Sequence, residues 1–172
     1  MSNPALKGMR NTYTAQNSLT KEAVDTILEF LEVSIHSILY VRAVYPAGLQ
    51  LKCDFLYSNI GLFERRRKWG VPVRMSRHPD LSTYIRDALL AMRPALERGE
   101  AKKVAVEILD SDNVVTEKFI FALDYDMKSF NPIEVEGELS AALQRLCVSD
   151  SFLPSRIAKS FQLAIALQGT VC

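Results

Sequence analysis

The segment from Thr20 to Tyr45 limits the possible folds most, because it predicts one long helix with apolar residues around most of its circumference. Apolar residues recur there at intervals of three and four, at Val24, Ile27, Leu28, Leu31, Ile35, Ile38 and Leu39. Thr20 is a suitable N-cap, and Pro46 stops the helix. A helix that is apolar on nearly all sides is normally surrounded by the rest of its domain. We therefore expect this helix at the centre of the fold.

The size and charge of the chain indicate one ordinary globular domain. Its 172 residues are enough for a sizeable core, and 48% of them are hydrophobic. Lys and Arg number 21 against 20 Asp and Glu, so the net charge of +1 provides no overall field for binding nucleic acid or membranes. No apolar run reaches the roughly 18 residues that a membrane span needs. Any binding must therefore depend on a local surface.

The cysteines and the N-terminal segment indicate a reducing compartment. The three cysteines, Cys53, Cys147 and Cys172, are widely spaced and form no CxxC pair, which argues against a zinc site and for free thiols. Residues 1–18 are polar, lack the apolar region of a secretory signal and are predicted to form a flexible arm. We expect residues 19–172 to form a single domain in the cytosol or nucleus.

Beyond the first helix, the pattern predicts short strands and two further helices. The predicted strands are residues 49–57, 63–75, 103–109, 114–123 and 161–167, with a helix as the alternative for the last of them. The helices begin near Pro79 and Val135, and Pro94 should kink or end the first of these two before a final stop at Arg98–Gly99. The fold class is therefore α+β, with a long central helix and two others packed on an antiparallel sheet.

The sequence contains no recognisable motif of catalysis or cofactor binding. It has no glycine-rich phosphate loop, no HExxH pair and no GxSxG elbow. His36 is more typical of a packed histidine than of a catalytic one, and His78 precedes Pro79 at a helix start. Asp110 and Asp112 suit a turn for backbone reasons. We expect no catalytic residue, cofactor or metal, and we expect a binding role.

The basic run Arg65, Arg66, Arg67 and Lys68, followed by Trp69, is the best candidate for a nucleic-acid contact. Its cations suit phosphate groups, and the indole ring suits stacking on a base. A solvated, charged edge strand, which also discourages aggregation, is the favoured explanation of the same residues. Direct DNA contact is therefore the less favoured interpretation, and a nuclear-localisation role is a further alternative.

Three longer segments together resemble a known family. They are EFLEVSIHSILYVRAVYP, RRRKWGVPVRMSRHPDLSTYIRDALLAMRPALE and KKVAVEILDSDNVVTEKFIFAL. In combination they resemble the HORMA domain family, and most closely its branch of accessory subunits of translesion DNA polymerase zeta, the mitotic-arrest-deficient-like B proteins. The spindle-checkpoint branch is less similar through the second helix and through the antiparallel hairpin that we predict from the strands at residues 103–109 and 114–123. The resemblance covers residues 19–167 except for an internal segment, and it implies a HORMA-like fold.

The resemblance implies a non-catalytic adaptor of translesion synthesis and several contact residues. Tyr84 matches a position that contacts a proline-containing peptide of the polymerase's catalytic subunit, with an ordinary core-facing position as the alternative. Arg65 and Arg145 are assigned to a HORMA–HORMA dimer, with solvated surface positions as the alternative. A spindle-checkpoint adaptor or a basic nucleic-acid-binding module is the alternative function. The expected location is the nucleus, with the cytoplasm as a second location.

Two departures from the family pattern are expected to affect function. Residues 49–61 interrupt the usual junction YPAG–LFERRRKWGVPV, and we interpret them as an insertion or a retained intron. In the family, the chain continues past the strand matching residues 160–167 into a safety belt. This belt closes over the partner peptide and provides the surface for the translesion scaffold polymerase. Because the sequence stops at Cys172, we expect a domain without the belt and with weaker partner binding.

Overall fold

The computed structural model of the chain describes residues 20–44, 62–123, 132–153 and 160–167. In chain order its elements are α1 (Lys21–Val41), β1 (Phe63–Lys68), β2 (Val71–Ser76), α2 (Pro79–Glu97), β3 (Ala101–Leu109), β4 (Val115–Ala122), α3 (Pro132–Val148), a 3-10 turn (Ser149–Phe152) and β5 (Ser160–Leu167). The predicted flexible arm, the predicted strand at residues 49–57, the insertion at 49–61 and the chain after residue 167 lie outside the described residues.

Helix α1 is the buried centre of the fold, as the apolar pattern predicts. The Thr20 hydroxyl accepts a hydrogen bond from the Ala23 N–H at 3.2 Å and caps the start of the helix. All seven residues from Val33 to Leu39 are buried, so this part of the helix is covered on every side. The helix therefore connects the other elements rather than lying on their surface.

The end of α1 lies earlier than the prediction at Tyr45, which is wrong. The helix ends at Val41, and the Val44 N–H then donates to the Leu39 carbonyl at 2.9 Å, as in a Schellman-type cap. Ala43 adopts a φ of 49°, a left-handed conformation that usually belongs to glycine. The turn places the Val44 side chain fully in the core, and this burial outweighs the backbone strain.

The predicted strand at residues 63–75 is in fact two strands, β1 and β2, which form an antiparallel hairpin. Trp69 and Gly70 occupy its turn with φ values of 45° and 74°. Positive φ at both central residues is typical of the type I′ turn, whose twist matches that of a tight hairpin. The Trp69 ring packs on Phe30 of α1, with 6.1 Å between ring centroids, and this contact offsets the cost of a bulky residue there.

A second antiparallel sheet has the strand order β4–β3–β5. The predicted β3–β4 hairpin is confirmed, and the Asp110 carboxylate stabilises its turn by accepting from the Asp112 and Val114 N–H groups at 2.9 and 3.0 Å. Strand β5 is confirmed as a strand, with Val104 of β3 opposite Ile165. The α+β fold class is confirmed, although the single sheet that we expected is divided into two.

Two hydrophobic clusters join these elements. The larger cluster lies between α1, α2 and one face of the three-stranded sheet, and its members include Leu31, Ile35, Ile85, Met92, Val104 and Val106. The smaller cluster joins α1, β2 and α3 through Val33, Val71, Val73 and Leu143. Because α1 contributes to both clusters, it holds the hairpin and the larger sheet in one fold.

Helix α2 continues through Pro94 to Glu97, so of the two outcomes predicted for Pro94, a kink or an end of the helix, the end is wrong. A proline removes one backbone hydrogen bond, and near the end of a helix few later residues depend on that bond. The Arg98 N–H still bonds to the Pro94 carbonyl at 3.2 Å. The predicted stop at Arg98–Gly99 is confirmed, because Gly99 adopts a φ of 67° directly after the cap.

A buried ion pair fastens the end of α1 to β4. Nε and Nη2 of Arg42 donate to the two carboxylate oxygens of Glu117 at 2.7 and 2.5 Å. The two side chains are only 4% and 11% exposed. A two-pronged pair of this kind has a fixed geometry, so it sets the position of β4 relative to the end of the helix.

Candidate functional site

The junction of α2 and β5 presents an aromatic pair at the surface. Tyr84 follows the buried stripe of α2, but half of its surface is exposed, so it does not occupy a core position. Its ring meets that of Phe161 on β5 edge to face, with 5.7 Å between the centroids. Leu81 and Ile85, on either side of Tyr84, are buried and hold this turn of the helix against the core. The Tyr84 ring is thus held by its contact with Phe161 and is still half exposed.

Strand β5 provides a hydrogen-bonding edge beside this pair. It pairs with β3 along one side, and no other described strand pairs with its second side. Ile165 and Leu167 on this strand are 40% and 42% exposed. An open strand edge can accept an extended peptide as a further strand, and side-chain pockets next to it then provide specificity. The Tyr84–Phe161 pair and the β5 edge together form a surface suited to an extended peptide.

A second surface surrounds Arg145, which was predicted to contribute to a dimer. Arg145 is exposed near the end of α3 and lines a cavity of about 600 Å³ between α3 and β4. Phe152 and Val148, which also line this cavity, are 84% and 55% exposed. An exposed phenylalanine next to an exposed arginine is typical of a protein-binding surface. The role of Arg145 in a dimer stays a prediction.

The structure divides the predicted basic patch between the two faces of the β1–β2 hairpin. Arg66 forms an ion pair with Glu64, and Lys68 forms one with Glu29 of α1. Arg65 and Arg67 alternate with them and therefore lie on the opposite face. No described contact joins Arg65 to Arg145, the other residue predicted for the dimer.

Trp69 is also removed from the continuous patch that the sequence predicts. Its ring contacts Phe30 and belongs to the smaller hydrophobic cluster, together with Val71 and Val73. The indole is therefore engaged in packing rather than held out for stacking on a base.

His36 is a packed core residue, in agreement with the sequence analysis. It is 1% exposed, and its Nδ1 accepts a hydrogen bond from the Ser76 N–H at 3.3 Å. Burial, followed by the positive charge of Arg66, lowers the pKa of the imidazole to about 4. The ring is therefore neutral at physiological pH, and it links α1 to the end of β2.

Metal and membrane sites have no support in the described part of the chain. The residues there form no group of three or more potential metal ligands. None of the described helices combines the length and apolar character needed to cross a bilayer.

Comparison with known proteins identifies the family. No protein-family model matches the chain. It is similar to the mitotic spindle assembly checkpoint protein MAD2B of Rattus norvegicus, with 40% identity over 134 residues that span 75% of this chain and 57% of the rat protein. It is also similar to the DNA polymerase zeta processivity subunit of Arabidopsis thaliana, with 33% identity over 132 residues, 77% of this chain and 55% of the plant protein.

Solved structures share the fold. One chain of the crystal structure of the mitotic checkpoint complex superposes with a TM-score of 0.72 at 20% identity, covering 88% of this chain and 78% of the other. HTP-2 of C. elegans, bound to the HIM-3 closure motif, superposes with a TM-score of 0.62 at 9% identity, covering 91% and 74%. The chain belongs to the HORMA family.

The HORMA resemblance in the sequence is thereby confirmed, and so is the HORMA-like fold. The chain spans a little more than half the length of the curated relatives it matches, 57% for the rat protein and 55% for the plant protein. The two relatives carry names from two processes, the spindle checkpoint and polymerase zeta. Both functions were predicted for this HORMA chain from its sequence.

Two residues of the surfaces described above, Phe161 and Arg74, were not predicted from the sequence. Phe161 follows the alternation of β5, but its contact with Tyr84 depends on how α2 packs beside that strand. Arg74 stands opposite Arg65 in the β1–β2 hairpin. The Trp69–Gly70 pair at the turn was the available signal for this hairpin. It was missed because tryptophan is rare in a turn type that favours asparagine and glycine.

Proposed function

We propose that this chain is a non-catalytic HORMA adaptor of the polymerase zeta accessory type, which binds an extended segment of a partner protein. The main support for this proposal is the sequence identity of 33–44% with relatives named MAD2B or polymerase zeta processivity subunit. By the same resemblance, the proposed partners are the catalytic subunit of DNA polymerase zeta and the translesion scaffold polymerase. The proposed location is the nucleus.

The α2–β5 surface supports this proposal through its geometry. An extended peptide beside β5 can form backbone hydrogen bonds along an edge of eight residues. The exposed half of the Tyr84 ring then provides a flat aromatic contact for a proline in the bound segment. Because Phe161 packs against the same ring, the phenol loses little conformational freedom on binding.

The test uses a synthetic proline-containing peptide from the polymerase zeta catalytic subunit and the full chain. Tyr84→Ala should weaken peptide binding by at least about tenfold, the scale of a buried aromatic contact at an interface. Leu90→Ala is the matched control, because Leu90 is a large, 47% exposed residue on the same helix. Fluorescence anisotropy with a labelled peptide measures both. If Tyr84→Ala binds as tightly as the unmodified chain, the proposed site is wrong.

A spindle-checkpoint adaptor is the second candidate function. The observation in its favour is the 40% identity with a relative named mitotic spindle assembly checkpoint protein MAD2B. Affinity purification of the tagged full chain from cells separates the two candidates. Enrichment of polymerase subunits supports the first proposal, and enrichment of mitotic checkpoint proteins without polymerase subunits supports the second.

The exposed surface at Arg145 supports a further partner of the same adaptor, a second HORMA domain. Arg145, Val148 and Phe152 combine charge with exposed apolar area next to a cavity, as protein interfaces do. Arg145→Ala should shift the oligomeric state towards monomer in sedimentation experiments. An unchanged distribution at concentrations where the unmodified chain is dimeric would exclude Arg145 from the interface.

A further inference from the structure

The two faces of the β1–β2 hairpin carry cations in different electrostatic states. On the face turned to α1, Arg66 is paired with Glu64 and Lys68 with Glu29. Val71 and Val73 lie opposite these two cations in the register and are buried. The two cations on this face are therefore paired within the protein, and the Lys68–Glu29 pair connects the hairpin to the helix.

The other face carries three guanidinium groups, those of Arg65, Arg67 and Arg74, which we call the arginine face. Arg65 and Arg67 are exposed and lie two residues apart on β1, and Arg74 stands directly opposite Arg65 on β2. Among the described residues, none of the three forms an ion pair with a carboxylate. Like charges placed directly opposite each other in a sheet repel one another. The free protein thus keeps an unfavourable arrangement that a bound anion would relieve.

Local contacts keep this arrangement in a fixed geometry. The Nε group of Arg67 donates to the Gly70 carbonyl at 3.1 Å, which holds its side chain along the hairpin. The guanidinium carbon of Arg74 lies 4.8 Å from the centre of the Tyr40 ring, in a cation–π contact. These contacts leave further N–H donors on each guanidinium free to bind an anion, because arginine has five. Two of the three cations are therefore already oriented before any ligand binds.

We propose that the arginine face binds the phosphate backbone of a nucleic acid without reading its bases. Charge complementarity carries the inference, because guanidinium groups match phosphate oxygens in geometry as well as in charge. Residues two apart on a strand are separated by about 7 Å, so the face offers a row of charges to a polymer with repeated anions. The described aromatic side chains around the hairpin, Phe63, Trp69 and Tyr40, are engaged in packing or in the Arg74 contact, so none of these described rings is held out for base stacking.

An acidic peptide is the competing occupant, and the hairpin suits it less well. Specific peptide sites usually combine charge with apolar pockets for side chains. The described cavity with exposed apolar residues lies at α3 and β4 instead, and the remaining exposed residue beside the arginines is Pro72. A surface with charge and little apolar area favours a ligand whose affinity depends mainly on charge.

The test measures binding of the full chain to a fluorescently labelled single-stranded oligothymidylate by anisotropy over a series of salt concentrations. The variant R65Q/R67Q/R74Q should lose about tenfold or more in affinity at low salt, and the slope of log affinity against log salt should fall by roughly 2, since each phosphate contact to a single strand contributes about 0.7. The double variant R65Q/R67Q keeps the Arg74–Tyr40 contact, so it still tests the proposal if the triple variant folds poorly. It should show the larger part of the loss in oligonucleotide affinity.

Matched controls make the outcomes decisive. R66Q/K68Q removes two positive charges from the same hairpin but from its paired face, and Arg145→Ala changes the predicted dimer surface; both should keep oligonucleotide binding within about twofold. An equal loss in R66Q/K68Q would overturn the proposal, because net charge would then explain the binding. Displacement of the oligonucleotide by polyglutamate at equal charge concentration would make the surface a general anion site and overturn the assignment to nucleic acid.

The test of nucleic-acid binding can be distinguished from the test of the adaptor function. The arginine-face variants should bind the polymerase peptide as the unmodified chain does, and Tyr84→Ala should bind the oligonucleotide unchanged. Absence of saturable oligonucleotide binding by the unmodified chain at low salt would overturn the nucleic-acid contact while leaving the peptide site unaffected.

Discussion

Arg42 and Arg65 carry the same side chain near the junction of α1 and the hairpin, but the fold treats them in opposite ways. Arg42 is buried and bound to both oxygens of Glu117, whereas Arg65 is exposed and stands opposite Arg74. A buried charge must be paired, because its desolvation costs several kcal/mol. An exposed charge remains hydrated and available for a ligand. We therefore expect the end of α1 to determine stability and the outward surfaces to determine binding.

The largest expected effect comes from removing one member of the buried pair. Arg42→Ala leaves the Glu117 carboxylate buried without its main partner and should lower the free energy of unfolding by about 3–5 kcal/mol. Arg65→Ala, the matched control, should change it by no more than about 0.5 kcal/mol, with a gain if the repulsion from Arg74 is relieved. Urea denaturation followed by circular dichroism measures both. Equal losses in the two variants would show that the buried pair contributes no more to stability than an exposed arginine does.

A smaller effect is expected from His36, a buried group that can gain a charge. The folded-state pKa of His36, about 4, lies below its ordinary value of 6.5, so the unfolded state binds the proton more readily. The contribution of the neutral imidazole to the free energy of unfolding is fully present above pH 6.5 and is lost as the pH falls towards 4. Between pH 7 and pH 5 the unfolding free energy should fall by about 2 kcal/mol because of this group.

His36→Gln isolates this contribution, because the glutamine side-chain oxygen can still accept from the Ser76 N–H but does not titrate in this range. The difference between the unmodified chain and this variant should shrink as the pH falls from 7 to 5. If the difference is independent of pH, the histidine is not the titrating group, and other groups account for the acid sensitivity of the fold.

The smallest expected effect tests the backbone at the same end of α1. Ala43 has a left-handed backbone conformation, and its methyl group is exposed. Replacing it with glycine would therefore relieve the backbone strain without removing any side-chain packing. Ala43→Gly should therefore raise the unfolding free energy by about 0.5–1 kcal/mol. Ala91→Gly, at an exposed position within α2, should lower it by a similar amount, because glycine is unfavourable inside a helix. Thermal melts of the two variants should shift in opposite directions.

Much of the fold follows from local pattern. The three helices, the β3–β4 hairpin and strand β5 each occupy the predicted segment, because hydrophobic periodicity and turn residues act over short distances. Two predictions were wrong for the same reason: the end of α1 at Tyr45 and the single strand at residues 63–75. In both places a residue other than glycine or asparagine takes positive φ, and a tertiary contact compensates: burial for Val44 next to Ala43, and Phe30 for Trp69.

The candidate sites depend more strongly on tertiary structure. Tyr84 was predicted from the family resemblance, but its exposure and its contact with Phe161 come from the packing of α2 beside β5, 77 residues further along the chain. The basic run was visible as four consecutive letters. Strand alternation and two acidic partners then divide it into a paired face and a free face, and the register adds Arg74 to the free one.

The helices, the clearly alternating strands and the HORMA family were predictable from the sequence, because these are properties of short segments and of their order. The lack of recognised catalytic motifs could be read from it for the same reason. The tertiary structure alone decided which polar groups are buried and paired, as for Arg42 and His36, and which remain exposed, as for Arg65 and Tyr84. The physical reason is that burial and pairing depend on neighbours far apart in the chain, whereas periodicity depends on neighbours three or four residues away.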